Sequence, residues 1–165
     1  MFHAPRRSSA QRARDYLASH GLEDAIVTFE GSTKTAALAA EAMRCQLGQI
    51  VKSLVFLDEA GEAVLALVAG DRRGDSEAIS RQIAVSDVSL ADAQAVGEAT
   101  GYAIGGVSPL DLPRGLRVLV DDSLTRFDEV FTAAGTPNSM ARLTVGQLIE
   151  VSGGRVARIS QGCVR

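Results

Sequence analysis

Cysteine and histidine are scarce in this chain of 165 residues, which has two of each: Cys45 and Cys163, His3 and His20. The cysteines lie far apart, and neither belongs to a C-x-x-C or Cys/His ligand spacing, so no metal site is predicted. Both read as small, reduced hydrophobic side chains. His3 falls in the N-terminal tail and His20 at a helix end before Gly21, which leaves Ser/His/Asp or Cys/His nucleophilic chemistry without a well-placed base. Long apolar runs are also missing. Stretches such as Ala63 to Ala69 fall far short of the roughly 20 residues a membrane helix needs, and Met1 to Arg7 has no apolar signal core. The expectation is a cytoplasmic protein with no membrane partner. An excess of positive charge is lacking too: the net charge of -3 argues against coating a nucleic-acid backbone, and no DNA partner is expected. A small contact with one RNA end stays open. The local basic clusters, Arg6, Arg7, Arg12 and Arg14 and then Arg72 and Arg73, read equally well as solvated faces. No repeat, linker or low-complexity stretch divides the chain, which predicts one domain over residues 1–165 with a flexible tail at 1–7.

What is present fits a globular fold, with 46% hydrophobic and 22% charged residues. Ser8 or Ser9 can cap a helix through His20, with Gly21 at the left-handed position that ends it. Ala25 to Phe29 reads as a strand, and Ser32 as the cap of a helix over Thr33 to Gln46. Val51 to Leu57 and Glu62 to Ala69 are β-rich runs joined by Asp58-Glu59-Ala60-Gly61, which suits a hairpin. Both faces of these strands are apolar, Val51, Val55 and Leu57 on one and Leu54 and Phe56 on the other, so each face should be covered. Gly70 to Asp75 reads as a polar loop. Helices follow at Ser76 to Ile83 and Ser89 to Ala99, then a brief strand at Tyr102 to Ile104. Leu116 to Asp121 and Glu129 to Ala134 are further strands around a turn or short helix at Ser123 to Phe127. Thr144 caps a helix through Val151, and Arg155 to Ile159 is a last strand.

Two features carry candidate chemistry. Strand alternation puts Lys52 on the same face as Leu54 and Phe56, so its ammonium leaves the strand on an apolar side. It is one of only two lysines, with Lys34, among 17 basic residues. A compact ammonium can donate to a phosphate or carbonyl oxygen, and partial desolvation moves its pKa. Snorkelling from a strand end into water fits the same pattern. In Gly105-Gly106-Val107-Ser108-Pro109, paired glycines and a proline favour an open turn whose N–H groups can face a ligand and hold a developing oxyanion. Such a turn is also common in ordinary loops.

Taken in order, these features resemble the YbaK/ProX family of aminoacyl-tRNA deacylases, also found as the insertion domain of bacterial prolyl-tRNA synthetases. The resemblance covers most of the chain. It runs through the helix from Thr33 to Glu41, Gln49-Ile50-Val51-Lys52-Ser53-Leu54-Val55-Phe56, Ala69-Gly70-Asp71-Arg72-Arg73, Thr100-Gly101-Tyr102 leading into Gly105 to Leu110, Val120-Asp121-Asp122-Ser123-Leu124, and Ala133-Ala134-Gly135. It implies an α+β fold with a mixed, partly closed β-sheet surrounded by helices. The implied activity is hydrolysis of the ester between a small wrong amino acid and the 3′ end of tRNA for proline, without a cofactor. The implied partners are the acceptor end of aminoacyl-tRNA and prolyl-tRNA synthetase. By the same resemblance Lys52, Gly105, Gly106 and Ser108 are catalytic, and Thr33, Pro109, Asp121, Gly135, Arg72 and Arg73 bind substrate. A strand-end Asp such as Asp121 can equally cap the following turn. The chain departs from the family pattern at Asp111, where glycine is frequent, and at Thr136-Pro137-Asn138-Ser139, which replaces a more basic or Gly-rich stretch. A non-catalytic module that binds the acceptor end or the synthetase, and an unrelated small-molecule-binding α+β protein, are the competing readings.

Overall fold

A computed structural model describes residues 7–31 and 35–163. Helix α1 (Ser9–Ser19) is capped by Ser8, whose hydroxyl accepts from the Gln11 amide. Strand β1 (Ile26–Thr28) follows. Helix α2 spans Ala36–Met43, shorter than the expected Thr33 to Gln46. Its cap is Thr35, whose hydroxyl accepts from Leu38, and Arg44 in the left-handed region at φ 53° ends it. Ser32 and Thr33 lie outside the described residues.

The hairpin forms as expected: β2 (Val51–Asp58) pairs antiparallel with β3 (Ala63–Ala69). The segment expected as a polar loop contains a short strand, β4 (Arg72–Gly74). Asp75 caps α3 (Ser76–Gln82), accepting from Glu77 and Ala78. The expected helix from Ser89 is instead strand β5 (Val88–Leu90), with α4 (Ala93–Thr100) beginning only after Asp92, which caps it. Propensity for helix at Ser89 is overridden by pairing of β5 with β2. No strand forms at Tyr102 to Ile104, which pair with no strand among the described residues; Tyr102 is buried, its hydroxyl donating to the Leu110 carbonyl at 2.5 Å. Strands β6 (Arg117–Asp121) and β7 (Glu129–Ala133) lie close to expectation. Strand β8 (Ser139–Thr144) has no counterpart in the expected elements. Thr144 forms a capping box with Gln147 at the start of α5 (Val145–Ser152). The last expected strand ends early, at β9 (Arg155–Ala157), and β10 (Ser160–Cys163) turns back to pair with β4.

The fold is α+β around a mixed five-stranded sheet of order β5-β2-β3-β6-β9, in which β3, β6 and β9 run parallel and the other pairs antiparallel. An antiparallel sheet, β1-β8-β7, joins it through a parallel bridge between Ile50 and Phe131, and β10-β4 forms a separate two-stranded ribbon. Both faces of the hairpin are covered, as its two apolar faces require. Val51, Val55, Leu65 and Leu67 enter the main core with Leu17, Val96 and Leu148. Phe56, Val64, Ala66 and Val68 pack with Ile79 and Ile159 on the opposite face.

The outer edge of β2 pairs with β5 only over Phe56–Asp58, and the bridge to the neighbouring sheet lies at Ile50. Val51 to Val55 therefore have no strand on their outer side among the described residues. Asp58 turns its amide inward to Glu62, whereas the Val55 carbonyl accepts from Ala91 outward, at 3.0 Å. The two-residue alternation of an antiparallel ladder then turns the N–H and C=O of Ser53 outward as well.

The segment after α4 is fastened to α1 by one arginine. Arg12 donates to the Gly101 carbonyl at 3.1 Å, to the Asp111 carbonyl at 2.7 Å and to the Asp111 carboxylate at 3.2 Å, with its guanidinium 4.4 Å from the centre of the Tyr102 ring. Asp111 itself sits at φ 56°, a conformation natural to glycine. Arg12→Ala should lower stability by about 2 kcal/mol, since it strands acceptors of a charged donor and removes the ring contact. Asp111→Gly should change stability by less than about 1 kcal/mol, because relief at the left-handed position offsets the lost ion pair. Urea unfolding midpoints check both, and an unchanged midpoint in Arg12→Ala would contradict the role of this clamp.

Candidate active site

The open stretch of β2 forms one wall of a cavity of about 760 Å³, and all five residues from Val51 to Val55 line it. The segment Ala103 to Val107 also lines it, together with Gly135, Thr136 and, from α2, Ala36 and Ala39. The structure thus brings Lys52, Gly105, Gly106 and Gly135 to one cavity although more than 80 positions of sequence separate the first and last. Two of the few exposed large hydrophobic residues, Leu90 at 67% and Ile104 at 59% exposure, also line it, giving the mouth an apolar rim.

Lys52 is half-buried, and its ammonium donates to the Arg72 carbonyl on β4. Burial lowers its pKa from the ordinary 10.5, the charge of Asp71 opposes the shift, and the charge of Arg73 adds to it. Asp71 is itself held by Arg126, at 2.8 and 3.1 Å, which pulls its carboxyl below the usual range. Lys52 therefore stands in a partly dry position with one backbone acceptor and spare donor capacity.

The glycine loop divides into two halves. Gly105 lies at φ 85° with open space where a side chain would begin. The Gly106 amide donates to the Ala103 carbonyl at 2.9 Å, whereas the amides of Gly105 and Val107 have no partner among the described residues. The second half is buried. Ser108 is fully enclosed, its hydroxyl accepting from the Leu110 amide at 3.3 Å, and Pro109 is buried beside it. Neither lines the cavity.

The remaining expected site residues divide similarly. Gly135 combines a φ of 92° with a close approach to α1, where a Cβ would meet the Ser9 carbonyl oxygen at 2.3 Å. Asp121 is fully buried away from the cavity: it accepts from the Ile159 amide at 3.1 Å, from Ser160 at 2.7 Å and from Ser123. Its carboxylate ties the end of β6 to the start of β10. Arg72 reaches Ser160 at 3.1 Å, and Arg73 is exposed on β4. Among the described residues no group of three His, Cys, Asp or Glu side chains is arranged to hold a metal ion.

Ser53 escaped the reading of the sequence. Its hydroxyl is buried at the cavity wall without a hydrogen-bond partner among the described residues. A serine on the face otherwise taken by Val51 and Val55 was the available signal.

Residues 30–151 match the family model of the aminoacyl-tRNA editing domain. The chain belongs to that family. This editing domain is 36% identical over 148 residues to YwhH of Bacillus subtilis, an uncharacterized protein, covering 90% of this chain and 94% of that one. It is 29% identical over 146 residues to ProXp-y of Escherichia coli, a multifunctional Ser/Thr-tRNA deacylase, covering 86% of this chain and 87% of the relative. A crystal structure described as that of a candidate trans-editing enzyme for prolyl tRNA synthetase superposes with a TM-score of 0.84 at 37% identity, over 98% of this chain and 100% of that one. No helix among the described residues is long and apolar enough to cross a membrane.

Because the chain has only two lysines, the titration of Lys52 in this editing domain can be followed by NMR of Lys labelled at Cε. Its signal, absent in Lys52→Arg, should show a midpoint below 10.5. With the folded value below the unfolded one, the protein gains stability as pH rises through the folded value toward the unfolded one. Two lysine signals titrating together at the ordinary value would contradict the desolvation of Lys52.

Proposed function

We propose that the chain is a trans-editing hydrolase of the cytoplasm that cleaves the ester of mischarged aminoacyl-tRNA, acting on tRNA for proline that carries a small wrong amino acid. The observation that carries this reading is the shared lining of one cavity by Lys52 and Ser53, on the open stretch of β2, and by Gly105 and Val107, whose amides have no partner among the described residues. Its volume, about 760 Å³, is in the range that holds a small ligand and suits an aminoacyl ester with its terminal nucleoside. The family supports an editing reaction, and the descriptions of ProXp-y and the solved relative support the tRNA deacylase class and the link to prolyl-tRNA synthetase as a partner.

In the proposed reaction a water oxygen attacks the ester carbonyl carbon. The carbonyl oxygen gains negative charge, which the amides of Gly105 and Val107 stabilise as preorganised donors. The bond to the ribose oxygen breaks, that oxygen takes a proton, and the products are the free amino acid and tRNA with its 3′-terminal ribose restored. Lys52 holds the ester region or the terminal nucleotide by its charge, while the unpartnered hydroxyl and outward carbonyl of Ser53 receive the α-ammonium of the amino acid. Alanines at 36, 39, 91, 103 and 133 line the cavity and favour a small side chain. Leu90 and Ile104 offer the terminal base an apolar surface. An ester is already activated relative to an amide, so orientation and charge stabilisation suffice without a histidine base.

Presenting the purified protein with a panel of mischarged tRNAs, including alanyl, seryl and cysteinyl forms of tRNA for proline, tests activity and substrate class together. Lys52→Ala should keep the wild-type unfolding midpoint and lose about 100-fold or more in kcat/KM, the scale on which a positioned charge or donor acts in a transition state. Lys52→Arg should also be poor, since a planar guanidinium directs its donors differently. Wild-type turnover by Lys52→Ala would overturn the assignment, and tRNA binding without turnover by the wild type would favour a recognition module.

A further inference from the structure

A second cleft, of about 390 Å³, opens between α3 and β10, lined by Asp75, Arg81, Gln82, Arg158, Ser160 and Gln161. The arginines that line it differ from the five that are held in carboxylate pairs. Arg7, Arg12, Arg117, Arg126 and Arg142 all sit in ion pairs. Arg81 and Arg158 are exposed, and their side chains have neither an ion-pair nor a hydrogen-bond partner among the described residues. Arg155 adds a third guanidinium at the edge, donating to Gln82 at 2.8 and 3.1 Å. Arg73 adds a fourth, opposite Gln161 in the β4–β10 ribbon and on the same face of it. The acidic groups nearby are Asp75, already occupied in accepting from the Glu77 and Ala78 amides, the exposed Glu77, and the buried Asp121 behind the wall, which accepts from Ser160. A chain of net charge -3 thus leaves a cluster of unpaired positive charge around one polar cleft.

The cleft is coupled to the cavity by a short chain of contacts. Ser160, in its wall, accepts from Arg72 at 3.1 Å, and the Arg72 carbonyl accepts from the Lys52 ammonium. Guanidinium groups match phosphate oxygens in a bidentate geometry, and the neutral side-chain amide of Gln161 can complete such a contact.

We propose that this cleft binds the phosphodiester backbone of the RNA, inward from the 3′ end that the cavity receives. The proposal rests on the deacylase reading for the identity of the RNA, and it assigns Arg81 and Arg158 as contacts that hold the acceptor strand rather than act on the ester. The consequence is an RNA footprint of a few phosphates, in keeping with the negative net charge.

The test compares the wild type with Arg81→Gln/Arg158→Gln and with a control carrying the same charge change elsewhere, Arg14→Gln/Arg114→Gln. Two readouts are taken: affinity for an uncharged acceptor-stem hairpin of tRNA for proline as a function of salt, and hydrolysis of the alanyl ester of the trinucleotide CCA, which ends before the stem. The cleft variant should lose about tenfold or more in hairpin affinity, and its salt slope should fall by about 2, one for each phosphate contact removed. It should hydrolyse the trinucleotide ester at the wild-type rate, and the control should match the wild type in both. Wild-type hairpin affinity in the cleft variant overturns the proposal. So does an equal loss in the control, which would point to diffuse charge, or failure of the wild type to bind the hairpin. Failure of the wild type to hydrolyse the ester while hairpin affinity still depends on Arg81 and Arg158 would overturn the deacylase reading and leave the cleft standing.

Discussion

The interaction on which the architecture turns is one that β2 does not make. Between the bridge at Ile50 and the start of its pairing with β5 at Phe56, the outer edge of the strand meets no other strand among the described residues, and the Val55 carbonyl accepts from Ala91. An unpaired edge exposes N–H and C=O groups that must find partners, and proteins usually cover or blunt it. Here the open stretch and the segment from Ala103 to Val107 line one cavity. The same opening explains the setting of Lys52. It lies on the open stretch of a strand covered on both faces, and its side chain, half-buried on the face of Leu54 and Phe56, reaches the Arg72 carbonyl on β4.

The glycine loop depends on anchoring outside it. Ser108, Pro109 and Leu110 are buried, and the Tyr102 hydroxyl bonds to Leu110, so the second half of the turn is fixed in the core while Gly105 remains exposed. Arg12 then ties both flanks of the segment, Gly101 and Asp111, to α1. Asp111, where the family often has glycine, accepts a left-handed backbone and in return provides the carboxylate that Arg12 pairs with. A rigid second half and an open first half suit a surface that presents backbone donors without rearrangement during reaction.

Much of this was legible in the sequence where the signal was local. The helix caps at Ser8 and Thr144, the hairpin around Gly61 and the two apolar faces of β2 follow from turn chemistry and a period of two. The resemblance added the family and the pairing of Lys52 with the glycine loop. Less legible was whatever depends on distant partners. Strand β8 was hidden because Ser139 to Thr144 mixes small and charged residues, and it becomes a strand by pairing with both β1 and β7. Ser89 has the character of a helix cap, yet β5 forms there because β2 offers an edge. The buried setting of Asp121 required knowing that Ile159 and Ser160 return to the end of β6, and the second cleft required the same return. Ser53 was overlooked because alternation set it on the core face, where only the missing neighbour of β2 turns a buried serine into a lining group.

If the loop that shares the cavity with β2 takes part in the chemical step, a small change in that loop should slow the reaction without loosening the fold. Gly106 offers the cleanest probe, since its φ is not in the left-handed region and an added Cβ would come no closer than 3.7 Å, to the Ala103 carbonyl oxygen. Alanine there adds a methyl to a cavity-lining position with little backbone strain, in contrast to Gly105 at φ 85°. The decisive measurement is single-turnover deacylation of mischarged tRNA by Gly106→Ala, with thermal unfolding recorded on the same preparation. A protein that unfolds at the wild-type temperature and has a chemical step slowed about tenfold or more is the predicted result. A rate that falls only in proportion to the folded fraction, or does not fall, would contradict it.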